Sequence, residues 1–244
     1  CITAGRASMP SSASHSSPDQ LTLGVGLDDD AQFKNFFVSD ANQSLVSVLA
    51  ASEEEPFLFI WGNGSPGLSH LLQASCNKTT AEGRAAIYVP LVDRSQFAPQ
   101  ILEGAESLSL VCIDDIENIA GDVEWEAALF TAFNAMRQTG TQLIVAGHMA
   151  AQQLKIQLPD LHSRLQSGLL FQLSELSDED KLLALQLRAR QRGLDLPDAV
   201  GEFILLRADR NLSALMQILD ELDHSSMQQQ RKLTVPLVNS TLGW

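Results

Sequence analysis

The sequence predicts an α/β protein: a parallel sheet flanked by helices, followed by a small all-helical unit. Three observations predict it. From Phe57 onward, short apolar runs at residues 57–61, 86–91, 108–113, 142–146 and 168–173 alternate with helix-like stretches such as 67–80 and 122–138. Strands buried on both faces read as unbroken apolar runs, and strand–helix alternation wraps such strands into a parallel sheet. After Leu173 the strand signals stop and amphipathic helical patterns take over. A glycine-rich turn at residues 62–69 joins the first run to the first helix, the setting in which phosphate-binding loops occur.

Each element follows from local signals. Trp125, Leu129, Phe133 and Met136 recur at helical spacing and would cover one face of the sheet. Ser177, Asp178, Glu179 and Asp180 form a capping box that opens a helix running to about Arg192, with Gly193 as its C-terminal cap. Pro197 suits the first turn of the next helix. Leu212, Leu215, Leu219 and Leu222 mark a third helix, and residues 235–242 a fourth. Residues 1–19, rich in Ser, Ala and Pro, read as disordered, and Met9 reads as a native start. They lack the basic start and apolar core of a signal peptide. The expected organisation is therefore a disordered segment at 1–19, a peptide and linker at 20–30, an α/β base at 31–173 and a helical lid at 174–244. The lid, at roughly 70 residues, is near the lower limit for independent stability and should lean on the base.

Composition narrows the functional classes. The chain has 244 residues, 45% hydrophobic and 19% charged, as ordinary globular proteins do. None of its apolar runs approaches the length that crosses a bilayer, so no membrane partner is expected. A net charge of −14 repels phosphate backbones and argues against broad nucleic-acid binding. Cys1, Cys76 and Cys112 show no metal-like spacing; buried, reduced thiols in a cytoplasmic protein are the expectation.

Two motifs carry candidate chemistry. Gly62, Asn63, Gly64, Ser65, Pro66, Gly67, Leu68 and Ser69, with His70 behind them, follow a strand and open a helix, as in the loop G-x-x-x-x-G-K-[ST]. Such loops aim backbone N–H groups at anionic oxygens. The lysine position holds Leu68, which cannot neutralise phosphate, and Pro66 removes one donor. Ser69 keeps the hydroxyl that would meet Mg²⁺. The same residues would equally make a tight strand-to-helix turn. Further on, residues 110–113 end in Asp114 and Asp115, where a Walker B motif has one acid for Mg²⁺ and one for the attacking water. Acids at strand ends also simply cap the following helix.

Longer strings carry a resemblance. Residues 107–117 (SLSLVCIDDIE), Trp125-Glu126, 158–165 (LPDLHSRL), 177–197 (SDEDKLLALQLRARQRGLDLP) and 230–236 (QRKLTVP) resemble the Hda family, which is similar to the AAA+ part of the replication initiator DnaA. The similarity runs over nearly the whole chain from Gln20 and implies an AAA+ base with a helical lid. It implies a nucleotide site at Gly62, Asn63, Gly64, Ser65, Gly67, Leu68, Ser69, His70, Asp114, Asp115, His148 and Ser213, with Ser69 and Asp114 on the Mg²⁺ of any bound nucleotide. His148 falls at the sensor 1 position, where the family has an acidic or small polar group; a surface histidine is the plain alternative. Ser213 falls at the sensor 2 arginine, with Arg210 three residues earlier. Arg164 corresponds to the arginine finger, although a lone arginine is ordinarily a surface or ion-pairing residue.

The resemblance also places a clamp-binding peptide at Gln20, Leu21, Thr22, Leu23, Gly24 and Val25, with Gly24 where the family has proline. Leu anchors in an apolar groove suit that role; an alternating edge strand is the other reading. The partners implied are the initiator DnaA, the DNA polymerase III sliding clamp and further copies of the chain through AAA+ faces, without sequence-specific DNA binding. The cofactor implied is ADP or another nucleotide diphosphate, weakly held, with Mg²⁺ only alongside it. Together these imply a negative regulator of replication initiation with little or no ATPase of its own. A stand-alone ATPase or loader and a degenerate adaptor are the competing functions.

Overall fold

The five apolar runs form five parallel strands in the computed structural model, which describes residues 27–51, 55–64, 67–229 and 233–244. They are β1 (Phe57–Trp61), β2 (Ala86–Pro90), β3 (Leu110–Asp114), β4 (Gln142–Gly147) and β5 (Leu169–Gln172), in the order β2-β3-β4-β1-β5. Four of the five strands differ from the sequence expectation by one or two residues at an end. The third strand begins at Leu110 rather than residue 108 and takes in Asp114 as its last residue. The second stops at Pro90, because Leu91 opens a 3₁₀ segment. Proline has no N–H for a ladder, so a strand end on a sheet edge accommodates it.

Successive strand residues feed opposite faces, which is why unbroken apolar runs are needed. Phe57, Phe59, Val111, Ile113, Leu143 and Val145 point to one face, and Leu58, Ile60, Leu110, Cys112, Ile144 and Ala146 to the other. Helix α1 (Gln43–Ala51) and helix α2 (Leu68–Ala81) cover the second face through Leu45, Leu49, Leu71, Leu72 and Cys76. Helix α3 (Val123–Thr139) and helix α4 (Pro159–Leu165) cover the first. The helical stripe Trp125, Leu129, Phe133 and Met136 lies in that core, and the Phe133 ring meets Phe57 edge-on at 4.9 Å. Cys76 and Cys112 are free and buried.

Helices α5 (Asp178–Gln191), α6 (Asp198–Arg207), α7 (Leu212–Gln229) and α8 (Val235–Leu242) form the C-terminal unit around a third core of Leu185, Val200, Ile204, Leu215, Leu219, Leu222 and Leu237. The Ser177 hydroxyl caps α5 by accepting from the Asp180 N–H at 3.1 Å. Pro197 stands just before α6 rather than inside its first turn. Among the described residues no helix is long and apolar enough to cross a membrane.

The structure adds α1 and the segment before it to the elements expected from the sequence. Asn42, 1% exposed, joins that segment to the chain leaving the sheet: its side chain accepts from the Ser174 N–H at 2.8 Å and donates to the Ser174 carbonyl at 3.0 Å. The approach of β1 to the turn before β5 is close as well. A methyl group on Gly168 would lie 2.3 Å from Phe57 Cδ1 and 2.6 Å from the Phe57 carbonyl oxygen. The Phe57 backbone cannot yield without disturbing strand pairing, and its ring is packed against Phe133. Gly168→Ala should therefore cost about 3 kcal/mol or more, read as a lowered urea midpoint.

Candidate functional site

The carboxyl ends of β1, β3 and β4 open on one cleft of about 540 Å³, walled on the far side by α5 and α7. Gly67, Leu68, Ser69, His70, Asp114, Asp115, His148 and Ser213 all line it, so the fold brings together eight of the twelve residues expected around a nucleotide. Ligands in open parallel sheets sit at this end because loops there can vary without disturbing the core. Gly62, Asn63 and Gly64 leave β1, with Gly64 at φ 75°, and Asn63 and Gly64 line a second, smaller cleft with Glu175, Lys181 and Arg210. Ser65 and Pro66 lie outside the described residues, as do residues 1–19 and the candidate peptide at 20–25.

Gly67 takes φ 98°, a left-handed conformation, and a methyl group there would strike the Phe36 ring at 2.8 Å. Leu68 is 5% exposed and shares the core cluster of Leu45, Leu71 and Leu72. The side chain at the lysine position is thus committed to packing. His70 donates from Nε2 to the Gln32 carbonyl at 3.0 Å, and its ring lies tilted against Phe36 with centroids 5.6 Å apart. Burial lowers its pKa, against the opposing pull of that hydrogen bond. Residues 32–37 therefore roof the start of α2, a role that no local motif announces.

At the end of β3, Asp114 is 1% exposed; it accepts from the Tyr88 hydroxyl at 2.8 Å and from the Asp115 N–H at 3.0 Å. Burial and the Asp114 carboxylate push the Tyr88 phenol far above its usual range, and a hydrogen bond with Ser69 partly offsets this. The single tyrosine of the chain thus holds Asp114, one of the two residues expected around Mg²⁺. Asp115 is the one non-glycine residue with positive φ among the described residues, at 57°. Burial, reinforced by Asp114, raises its pKa to about 6, while His148 acts in the opposite direction. His148 is not an isolated surface group: its Nδ1 contacts Glu117 and lies 3.5 Å from Asp115 Oδ1. Burial works to lower its pKa, but the Glu117, Asp115 and Asp114 carboxylates together raise it.

Arg164 belongs to the opposite end of the sheet. It lines a cleft of about 470 Å³ with Phe57, Leu143 and Leu169, residues at the amino ends of β1, β4 and β5. Four strand steps separate these ends from the nucleotide-type cleft, roughly 13 Å. Among the described residues no carboxylate lies within ion-pair distance of its guanidinium. The start of its helix is fixed by Glu126, 1% exposed, whose carboxylate accepts from the N–H groups of Gln157 at 2.9 Å, Leu158 at 2.7 Å and Gly121 at 2.7 Å.

Residues 27–172, more than half of the chain, match the bacterial DnaA ATPase domain, and residues 178–242 match the Hda lid domain. The chain belongs to the bacterial DnaA ATPase-domain family. It is a DnaA-related AAA+ protein with an Hda-type lid. Domain III of DnaA from Thermotoga maritima superposes with a TM-score of 0.74 at 23% identity, over 89% of this chain and 98% of that one. AMPPCP-bound DnaA from Aquifex aeolicus gives 0.71 at 22% identity, over 83% and 68%. The RuvB branch-migration motor of Thermotoga maritima gives 0.61 at 14% identity, over 87% and 73%. At these identities the likeness is one of fold.

In this DnaA-family chain the cations of the cleft come from residues that motif reading passed over. Arg188, in the last turn of α5, and Arg192, the residue that caps its C-terminus, line it; Arg188 pairs with Asp30 at 3.1 Å and Arg192 with Asp220. Their spacing of four on one helix face is visible in the sequence, but nothing there shows that the face meets the sheet. Ser213 lines the cleft without offering a charge, and Arg210 pairs with Asp178 at 2.9 Å beside the smaller cleft. The cleft thus carries Ser69 and Asp114 but no loop lysine, and its two arginines are already partnered.

Proposed function

We propose that this chain down-regulates replication initiation by completing the ATP-hydrolysing site of DnaA with Arg164. The position of Arg164 carries the reading. It stands at the amino ends of the strands, away from the chain's own cleft, with no carboxylate partner among the described residues. An arginine that cannot serve its own site is free to serve a neighbour's. There a guanidinium stabilises the charge that develops on the transferring phosphoryl group, an effect of about 10³–10⁵ in rate where it has been measured.

In this reading residues 31–173 form the base and 174–244 the lid, which together present Arg164. Gln20, Leu21, Thr22, Leu23, Gly24 and Val25 dock on the DNA polymerase III sliding clamp, delivering the chain to DnaA near replicating DNA. Gly24 leaves the peptide freer than proline would, so ordering it costs more and clamp affinity is weaker. The chain's own cleft holds a nucleotide diphosphate, with Ser69 and Asp114 toward its Mg²⁺. It does not turn ATP over, because Leu68 supplies no charge. Homotypic contacts through the same AAA+ faces compete with DnaA.

The test is hydrolysis of DnaA-bound ATP on DNA-loaded clamp, with and without this chain. Stimulation that needs both chain and clamp is expected; an intact chain that stimulates nothing would sink the proposal. The cleft has its own test in Leu68→Lys, which returns the loop cation at the expense of a buried apolar side chain. ADP affinity should rise about tenfold, as one charge-assisted hydrogen bond allows, while stability falls by about 2 kcal/mol. Unchanged ADP affinity by calorimetry would mean that phosphates do not meet this loop.

A further inference from the structure

We propose that Asp115, Glu117 and His148 bind a divalent transition-metal ion without any nucleotide. The three come from two elements: Asp115 and Glu117 from the turn after β3, His148 from the residue after β4. Their ligand atoms all lie within 4.8 Å of one another, and His148 Nδ1 is 3.5 Å from Asp115 Oδ1. Ligands about 2.1 Å from one ion stand about 3–3.5 Å apart, so small side-chain rotations suffice to surround it.

Several features hold the three groups in this arrangement. The His148 N–H reaches Glu117 Oε2 at 3.3 Å, which anchors the carboxylate while its other oxygen faces the imidazole. Gly147 gives Glu117 the room: a methyl group there would lie 2.8 Å from Glu117 Oε2. Asp115, at φ 57°, keeps its Oδ1 3.5 Å from His148 Nδ1. Charge favours a cation too. Asp114, Asp115 and Glu117 crowd together, and among the described residues no lysine or arginine pairs with any of them.

The donor set selects the ion. An imidazole nitrogen with two carboxylates suits Zn²⁺, Co²⁺, Ni²⁺ or Mn²⁺, whereas Mg²⁺ prefers an all-oxygen shell and retains its waters. The site is therefore distinct from the Mg²⁺ that Ser69 and Asp114 would meet alongside a nucleotide. Three protein ligands leave positions for water or an anionic oxygen. Asp115 and His148 also line the main cleft, so those positions open toward it.

The probe is Co²⁺ added to the full nucleotide-free chain, followed by visible absorption, with Zn²⁺ competition and calorimetry for stoichiometry. One ion per chain is expected, not displaced by millimolar Mg²⁺. Affinity should fall at least tenfold in His148→Ala and again in Glu117→Gln, and should be unchanged in His224→Ala, a lid histidine remote from the cluster. His148 is 44% exposed, so its removal leaves the fold intact, which Tm without metal checks. Absence of Co²⁺ binding, equal binding by His148→Ala, or displacement by Mg²⁺ would each overturn the assignment.

Discussion

On the proposed function, Arg164→Ala should remove at least about 10³-fold of the stimulation of DnaA-bound ATP hydrolysis while leaving the fold and the proposed clamp binding intact. The direction follows from chemistry: alanine cannot donate to an equatorial phosphate oxygen, and water entering the gap solvates developing charge less well than a held guanidinium. The size is that of trans-acting arginines in phosphoryl transfer. Stability should move little, since Arg164 is only half-buried and forms no ion pair among the described residues. Arg164→Lys should recover only a small part of the loss, because a point ammonium lacks the planar fork that spans two oxygens. Single-turnover hydrolysis of DnaA-bound ATP on loaded clamp reads all three proteins. Full activity in Arg164→Ala would leave a family adaptor that works through contacts alone.

Glu126→Ala should cost about 3 kcal/mol or more of stability and should weaken the same stimulation by displacing the helix that carries Arg164. The Glu126 carboxylate receives the N–H groups of Gly121, Gln157 and Leu158 at a site 1% exposed. Truncation strands three donors, each costing about 1–3 kcal/mol unless water reaches it. The loss falls on two places at once, the turn into α3 and the segment leading into α4, so stability and presentation of Arg164 change together. Glu126→Gln keeps one acceptor oxygen and should fall between wild type and alanine in urea denaturation. An alanine variant with an unchanged urea midpoint would show that solvent already satisfies these groups.

What the sequence by itself determined was whatever depends on local pattern. Unbroken apolar runs yielded five parallel strands, since a strand covered on both faces needs apolar side chains at odd and even positions alike. The 3.6-residue stripe of α3 and the capping serine of α5 were legible for the same reason: their partners lie within a turn or two. Long strings such as those around Asp114 and Arg164 carried the family.

Only tertiary structure decided how distant segments meet. Tyr88 reaches Asp114 from the neighbouring strand, Glu117 reaches His148 across 31 residues, and Glu126 reaches Gln157 across the same distance. Arg188 and Arg192 enter the cleft because the helical unit folds back over the strand ends, and Phe36 closes over Gly67 from a segment with no motif of its own. These are side chain to distant-partner contacts, fixed by packing and by buried polar groups that must find partners. A periodicity or a motif reports which residues leave water; which partner each one meets there is set by the assembled layers.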